Sequence, residues 1–152
     1  EKITCNFGLE PNEFDMFKWY SANLEQKDRT TNGIFAPWFM YKDDFLGHDK
    51  LFAPQSREDS DLFNRFLLEG YELIQSWDAL VYHFTSRGSR FNPYSGGGIG
   101  INSPEWEDTN SRNERKFLIK WGTPPTHDEF MMPIVTKESK KHYENYMKRG
   151  KK

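Results

Sequence analysis

The sequence predicts an α/β fold in one domain spanning residues 1–152, and three observations lead there. Strand-like and helix-like segments alternate along the chain, which favours a layered arrangement. At 152 residues the chain is long enough to enclose a real core. Aromatic residues make up 16% of it while all hydrophobic residues reach only 36%, so a few large rings must supply much of that core.

The elements come in order. Pro11-Asn12 opens a helical pattern in which Phe14, Phe17, Trp19, Tyr20 and Leu24 form a loose apolar face. "KDRTTNG" (27–33) is a polar loop. The continuous apolar run "IFAPWFMY" (34–41) reads as a buried strand, with Pro37 pointing to an edge or a bulge. "KDDFLGHDKLFAPQ" (42–55) is irregular, with room for one helical turn. A helix is predicted over 57–69, with Leu62, Phe63, Phe66 and Leu67 on one face and Gly70 as its stop. "YELIQ" (71–75) and "ALVYHF" (79–84) read as strands. The stretch 85–104 carries Gly96, Gly97, Gly98 and Gly100 and is expected to be a flexible loop. It is no dinucleotide fingerprint, since no strand leads into it and Pro104 interrupts the segment after it. Residues 105–122 are largely helical, "TPPTHDEFMMP" is irregular, and 137–152 form a basic tail whose plain reading is a solvated helix.

Charge and composition exclude several function classes. A net charge of -2 gives no bulk electrostatic case for nucleic acid or an anionic membrane. The single cysteine, Cys5, rules out an internal disulfide and a cysteine-rich zinc site. No apolar stretch approaches a membrane span and no signal peptide is visible, so a cytoplasmic location is expected.

Glu58, Asp59 and Asp61 stand together just ahead of the apolar run of the 57–69 helix. Ser56 and Asp59 fit a Ser-x-x-acid capping box, and first-turn acids complement the helix dipole. Asp59-Ser60-Asp61 is also an Asp-x-Asp, a spacing that can hold a hard divalent ion when phosphate oxygens complete its shell. A carboxylate at a helix start can equally take a proton. Spacing alone leaves the three readings open.

A wider pattern surrounds these acids. Phe45, Gly47 and Asp49 form Phe-x-x-Gly-x-Asp, Glu58 to Leu62 form Glu-Asp-x-Asp-Leu, and Arg65 and Gly70-Tyr71 come next. A strand then ends in Tyr82-His83, and "KFLIKWG" (116–122) is last. Over residues 34–122 this series resembles the second half of a family 2 glycosyltransferase with the GT-A fold. The resemblance implies a mixed sheet flanked by helices and the transfer of a sugar from a nucleotide-sugar donor to an acceptor hydroxyl. By it, Asp59 is the general base, Glu58 orients Asp59 or binds acceptor hydroxyls, and Asp61 supports the loop or binds substrate. His83 ligates a metal or touches the donor diphosphate, while Arg87 and Arg90 neutralise phosphate oxygens. Manganese or magnesium is implied for the complete enzyme.

Trp38, Trp77 and Trp106 are candidates to stack on sugar faces, with core packing as the alternative for each. His48, His127 and His142 show no ligand spacing and receive no role. The donor half of a GT-A enzyme has no counterpart in residues 1–33, and the chain starts at Glu1 without methionine. The expectation is therefore a C-terminal, acceptor-side portion, a subunit whose partner chain brings the donor site, or a degenerate relative, each transferring sugar poorly by itself. A non-catalytic carbohydrate-binding module and an interaction domain stand beside this reading.

Overall fold

The computed structural model describes the backbone of residues 2–5 together with residues 38–75, 102–129 and 132–150. Within these, strand β1 (Lys2–Cys5) is the middle strand of a three-stranded sheet. It pairs antiparallel with β2 (Trp38–Phe39), through Thr4 opposite Phe39 and Cys5 opposite Trp38. It pairs parallel with β3 (Glu72–Gln75), in a register running from Lys2 opposite Glu72 to Cys5 opposite Gln75. The sheet is thus mixed. Its central strand lies in a stretch where the sequence pattern offers none.

The run 34–41 departs from its expectation. Its described strand is only Trp38–Phe39, at the edge of the sheet among the described residues. Far from being buried, Phe39 is 58% and Tyr41 82% exposed. Two 3₁₀ turns come next, Lys42–Asp44 and Lys50–Phe52, the second capped by the Asp49 carboxylate accepting from the Leu51 N–H at 2.8 Å.

Helix α1 (Glu58–Leu68) carries the expected apolar face. Leu62, Phe63 and Phe66 meet Leu73 of β3 and Met132 in one buried cluster, with Met40, Leu67 and Tyr71 at its margin. The helix stops as its glycine predicts. Gly70 sits at φ 88°, its N–H donates to the Leu67 carbonyl, and the Tyr71 N–H reaches back to the Phe66 carbonyl at 3.0 Å. This doubly bonded end brings the Tyr71 ring edge-on to Phe66 at 5.2 Å, the hydrophobic contact that accompanies such a stop.

The start of α1 is a correction. No capping box forms. Arg57 occupies the N-cap at φ 70° with no side-chain capping bond, and Ser56, at φ 78°, turns its hydroxyl away to donate to Asn110 Oδ1 at 2.6 Å.

Helix α2 (Pro104–Trp121) begins with Ser103 accepting from the Trp106 N–H and with Pro104 in the first turn, where its missing N–H costs nothing. It ends at Gly122, φ 76°, where a side chain would meet His142 Cγ at 2.7 Å. Phe117 and Trp121 of α2 enclose Phe52 in a second buried cluster bordered by Leu51, Leu68, Val135 and Tyr143. The segment expected to be irregular holds a small antiparallel ladder, β4 (Thr126–His127) with β5 (Pro133–Ile134). The tail forms helix α3 (Lys137–Arg149), capped by Thr136 and packed on α2 by Tyr143, which stacks on Trp121 at 4.3 Å. Among the described residues no helix is long and apolar enough to cross a membrane. The helix expected over 11–26, the strand 79–84 and the glycine-rich loop to residue 101 lie outside the described residues.

Candidate active site at the start of helix α1

Glu58 and Asp59 occupy the first turn of α1, both half-buried, where backbone N–H groups and the helix dipole favour negative charge. Burial nevertheless raises the Glu58 pKa above the ordinary glutamate range, and the charge of Asp59 beside it adds to that rise. The backbone N–H groups of Glu58 and Ser56 and the nearby His48 pull the other way without cancelling it. Two adjacent carboxylates whose environments push one of them up are an arrangement suited to proton transfer.

Asp61 points elsewhere. It is fully buried and surrounded by donors: Arg65 Nε gives to Oδ2 at 2.8 Å and Trp121 Nε1 to Oδ1 at 2.9 Å, while Lys120 Nζ lies 2.6 Å from Oδ1. With both oxygens taken inside the protein, Asp61 is an anchor and not a substrate ligand, which corrects the substrate-binding part of its expected role. The anchoring bonds reach further. Lys120, only 2% exposed, also donates to Asp49 Oδ2 at 2.7 Å. Arg65 sends Nη1 to the Leu46 carbonyl at 3.2 Å and Nη2 to that of Gly47 at 2.5 Å. The turn 45–49, the helix α1 and the end of α2 are therefore tied into one polar network. Burial raises the Asp49 pKa, but the bonds from Lys120 and from the Leu51 N–H, with the charges of Lys120 and Arg65, outweigh it and hold the carboxyl below its ordinary value.

A second set of bonds fixes the approach to α1. Asn113, fully buried on α2, aims Nδ2 at the carbonyls of Phe52 (2.7 Å), Gln55 (2.7 Å) and Ser56 (3.2 Å). Lys116 Nζ donates to the Leu51 carbonyl at 2.7 Å, and Arg57 lies 3.6 Å from Glu114. Asn113 is absent from the residues singled out by sequence and Lys120 enters only within "KFLIKWG", without a role, although a signal for the burial of both exists. Positions 110, 113, 117, 120 and 121 recur at helical spacing on the side of α2 that carries Phe117 and Trp121, so polar residues there face the interior.

Trp38 pairs with Cys5 through its backbone, and His83, Arg87 and Arg90 lie outside the described residues. Among the described residues no three His, Cys, Asp or Glu side chains are grouped to hold a metal ion. Asp59-Ser60-Asp61 does not fit one either, since Asp61 is committed to Lys120, Arg65 and Trp121. An open hollow of about 420 Å³, lined by Asp44, Leu46, Glu69, Gly70 and Tyr71, lies at the opposite end of α1. At helical rise that is about 15 Å from the Glu58–Asp59 turn, so the hollow is no part of this site.

No protein-family profile, curated protein or solved structure matches the chain.

Proposed function

We propose that the chain is the acceptor-side portion of a GT-A-like glycosyltransferase, in which Asp59 takes the proton of an acceptor hydroxyl as that oxygen attacks the anomeric carbon of a nucleotide-sugar. Glu58 sits beside it, orienting Asp59 or holding an acceptor hydroxyl. The observation that supports this reading is the convergence of segments far apart in sequence. The Phe-x-x-Gly-x-Asp turn (Gly47, Asp49), the Glu-Asp-x-Asp-Leu helix start with Arg65, and the late Lys120-Trp121 meet in one hydrogen-bonded network centred on Asp61. These are the segments on which the resemblance rests, and a capped surface helix has no need of them together. The network is centred on the buried Asp61 and Lys120, and the two acids that precede it stand at a helix N-terminus, a place suited to removing a proton. Manganese or magnesium belongs to the donor side and no step here runs through it.

The test is calorimetric titration with UDP, GDP and CMP, with and without manganese, and then a mass-spectrometric assay of transfer from nucleotide-sugars to a panel of saccharide acceptors. Slow transfer from one donor is expected, reduced by about 10²–10⁴-fold in Asp59→Asn with the circular dichroism spectrum unchanged. A folded chain that binds no nucleotide and transfers no sugar rules out a self-sufficient transferase, and no transfer after a donor-binding half is supplied as well overturns the proposal. Glycan binding indifferent to Asp59→Asn, with no turnover, would mark a non-catalytic binding module instead.

A further inference from the structure

The two residues that lead into the acids are held in an unusual conformation. Ser56 (φ 78°) and Arg57 (φ 70°) are successive non-glycine residues in the left-handed region. Neither has a backbone preference for it, and such a pair persists only where surrounding contacts impose it. The first intrahelical bond of α1, from the Asp61 N–H to the Arg57 carbonyl at 3.0 Å, starts directly from this pair, so its geometry sets where Glu58 and Asp59 project.

The imposing contacts come from one stripe of α2. Asn113 reaches three carbonyls of the segment 52–56 through a single amide group, whose two N–H bonds serve three acceptors by sharing. Asn110 takes the Ser56 hydroxyl, and Lys116 holds the Leu51 carbonyl. No apolar side chain could replace Asn113 here, because three carbonyls turned toward a fully buried position require donors. The N-cap residue itself supplies no capping bond. The start of α1 is thus set from α2, more than fifty residues downstream.

We infer that Asn113, with Asn110 beside it, is a positioning residue for the Glu58–Asp59 pair, acting through the left-handed turn at Ser56-Arg57. The catalytic meaning of this role rests on the sugar-transfer reading; the positioning itself does not. What Asn113 holds is the backbone from which both acids extend.

The experiment is a carboxyl ¹³C NMR titration of the full chain, with Glu58 assigned through Glu58→Gln, together with amide hydrogen exchange. It compares wild type, Asn113→Ala, Asn110→Ala and Leu73→Ala, the last thinning the Leu62–Phe66 core as a control for lost stability. Besides burial, the charged groups acting on the Glu58 titration are Asp59 and His48, and both remain in every variant. In folded Asn113→Ala the Glu58 midpoint is expected to fall toward the ordinary glutamate range, with amides 57–61 exchanging more than about tenfold faster. Asn110→Ala, which adds a better helix former to α2, shifts both readouts the same way by less. Leu73→Ala lowers the melting temperature and leaves the Glu58 midpoint in place. An unchanged midpoint and unchanged exchange in folded Asn113→Ala overturn the inference, as does an equal midpoint shift in Leu73→Ala. Should Asn113→Ala not fold, Asn110→Ala decides by the same criterion. No nucleotide or sugar enters the titration, so its outcome is separate from that of the transfer assay.

Discussion

Helix α1 is gripped on two sides by opposite kinds of contact. On one side Leu62, Phe63 and Phe66 pack against Leu73 and Met132, a cluster held by shape and by exclusion of water. On the other, Asp61 and Arg65 meet Lys120, Trp121 and the carbonyls of Leu46 and Gly47 in a buried set of charges and directed bonds. The first kind of contact is tolerant, since apolar side chains of similar volume can exchange places. The second kind is not. Each donor has a particular acceptor, and the low dielectric that strengthens a completed network makes an incomplete one costly. Glu58 and Asp59 stand in the first turn of the same helix, just ahead of both sets of contacts.

The largest loss is expected at Asp61. Asp61→Ala strands Lys120 with Asp49 alone and removes the acceptor of Trp121 Nε1, and it is expected to cost about 3–5 kcal/mol in urea denaturation. A conservative change on the apolar side costs less. Leu62→Met keeps volume and polarity, so a loss below about 1.5 kcal/mol is expected from the same measurement, although both residues are fully buried. A larger loss there would mean that the apolar side is as exacting as the polar one.

The smallest effect separates two carboxylates by the sign of their pH dependence. Glu58 has a raised pKa in the folded protein, so its contribution to stability is present below the ordinary glutamate pKa and is lost as pH rises through the raised value. Glu58→Gln should therefore be somewhat more stable than wild type at pH 7, with the gain gone below about pH 4. Asp49, held below its ordinary value despite burial, behaves oppositely. Its contribution is present above the ordinary aspartate pKa and fades as pH falls through the depressed one. Denaturation curves at about pH 7 and pH 4 for the wild type and the variant check the first sign.

The same division separates what was legible in the sequence from what was not. The apolar face of α1 and its end at Gly70 come from helical spacing and from the glycine's freedom at positive φ, and both stand. The end of α2 at Gly122 was readable in the same way. The entry to α1 was not, because Ser56 satisfies a local pattern that a distant partner, Asn110, overrides. The burial of Lys120 was hidden for a related reason. A lysine is ordinarily a surface residue, and its two carboxylate partners, Asp49 and Asp61, lie far back along the chain. For the edge strand, the apolar run 34–41 suggested burial, but hydrophobicity does not specify how many neighbours a strand will find. The positions of Glu58 and Asp59 at a helix start were legible; the machinery that holds them was not.

Lys120 between Asp49 and Asp61 also bears on how this chain can change over generations. With Arg65 they make a set of two acids and two bases, and replacing any one of them leaves that set unbalanced, so changes that alter them in company cost less than single ones. Leu62 and Phe66 can drift one methyl group at a time. The polar set is expected to change as a group, where the apolar one can change residue by residue.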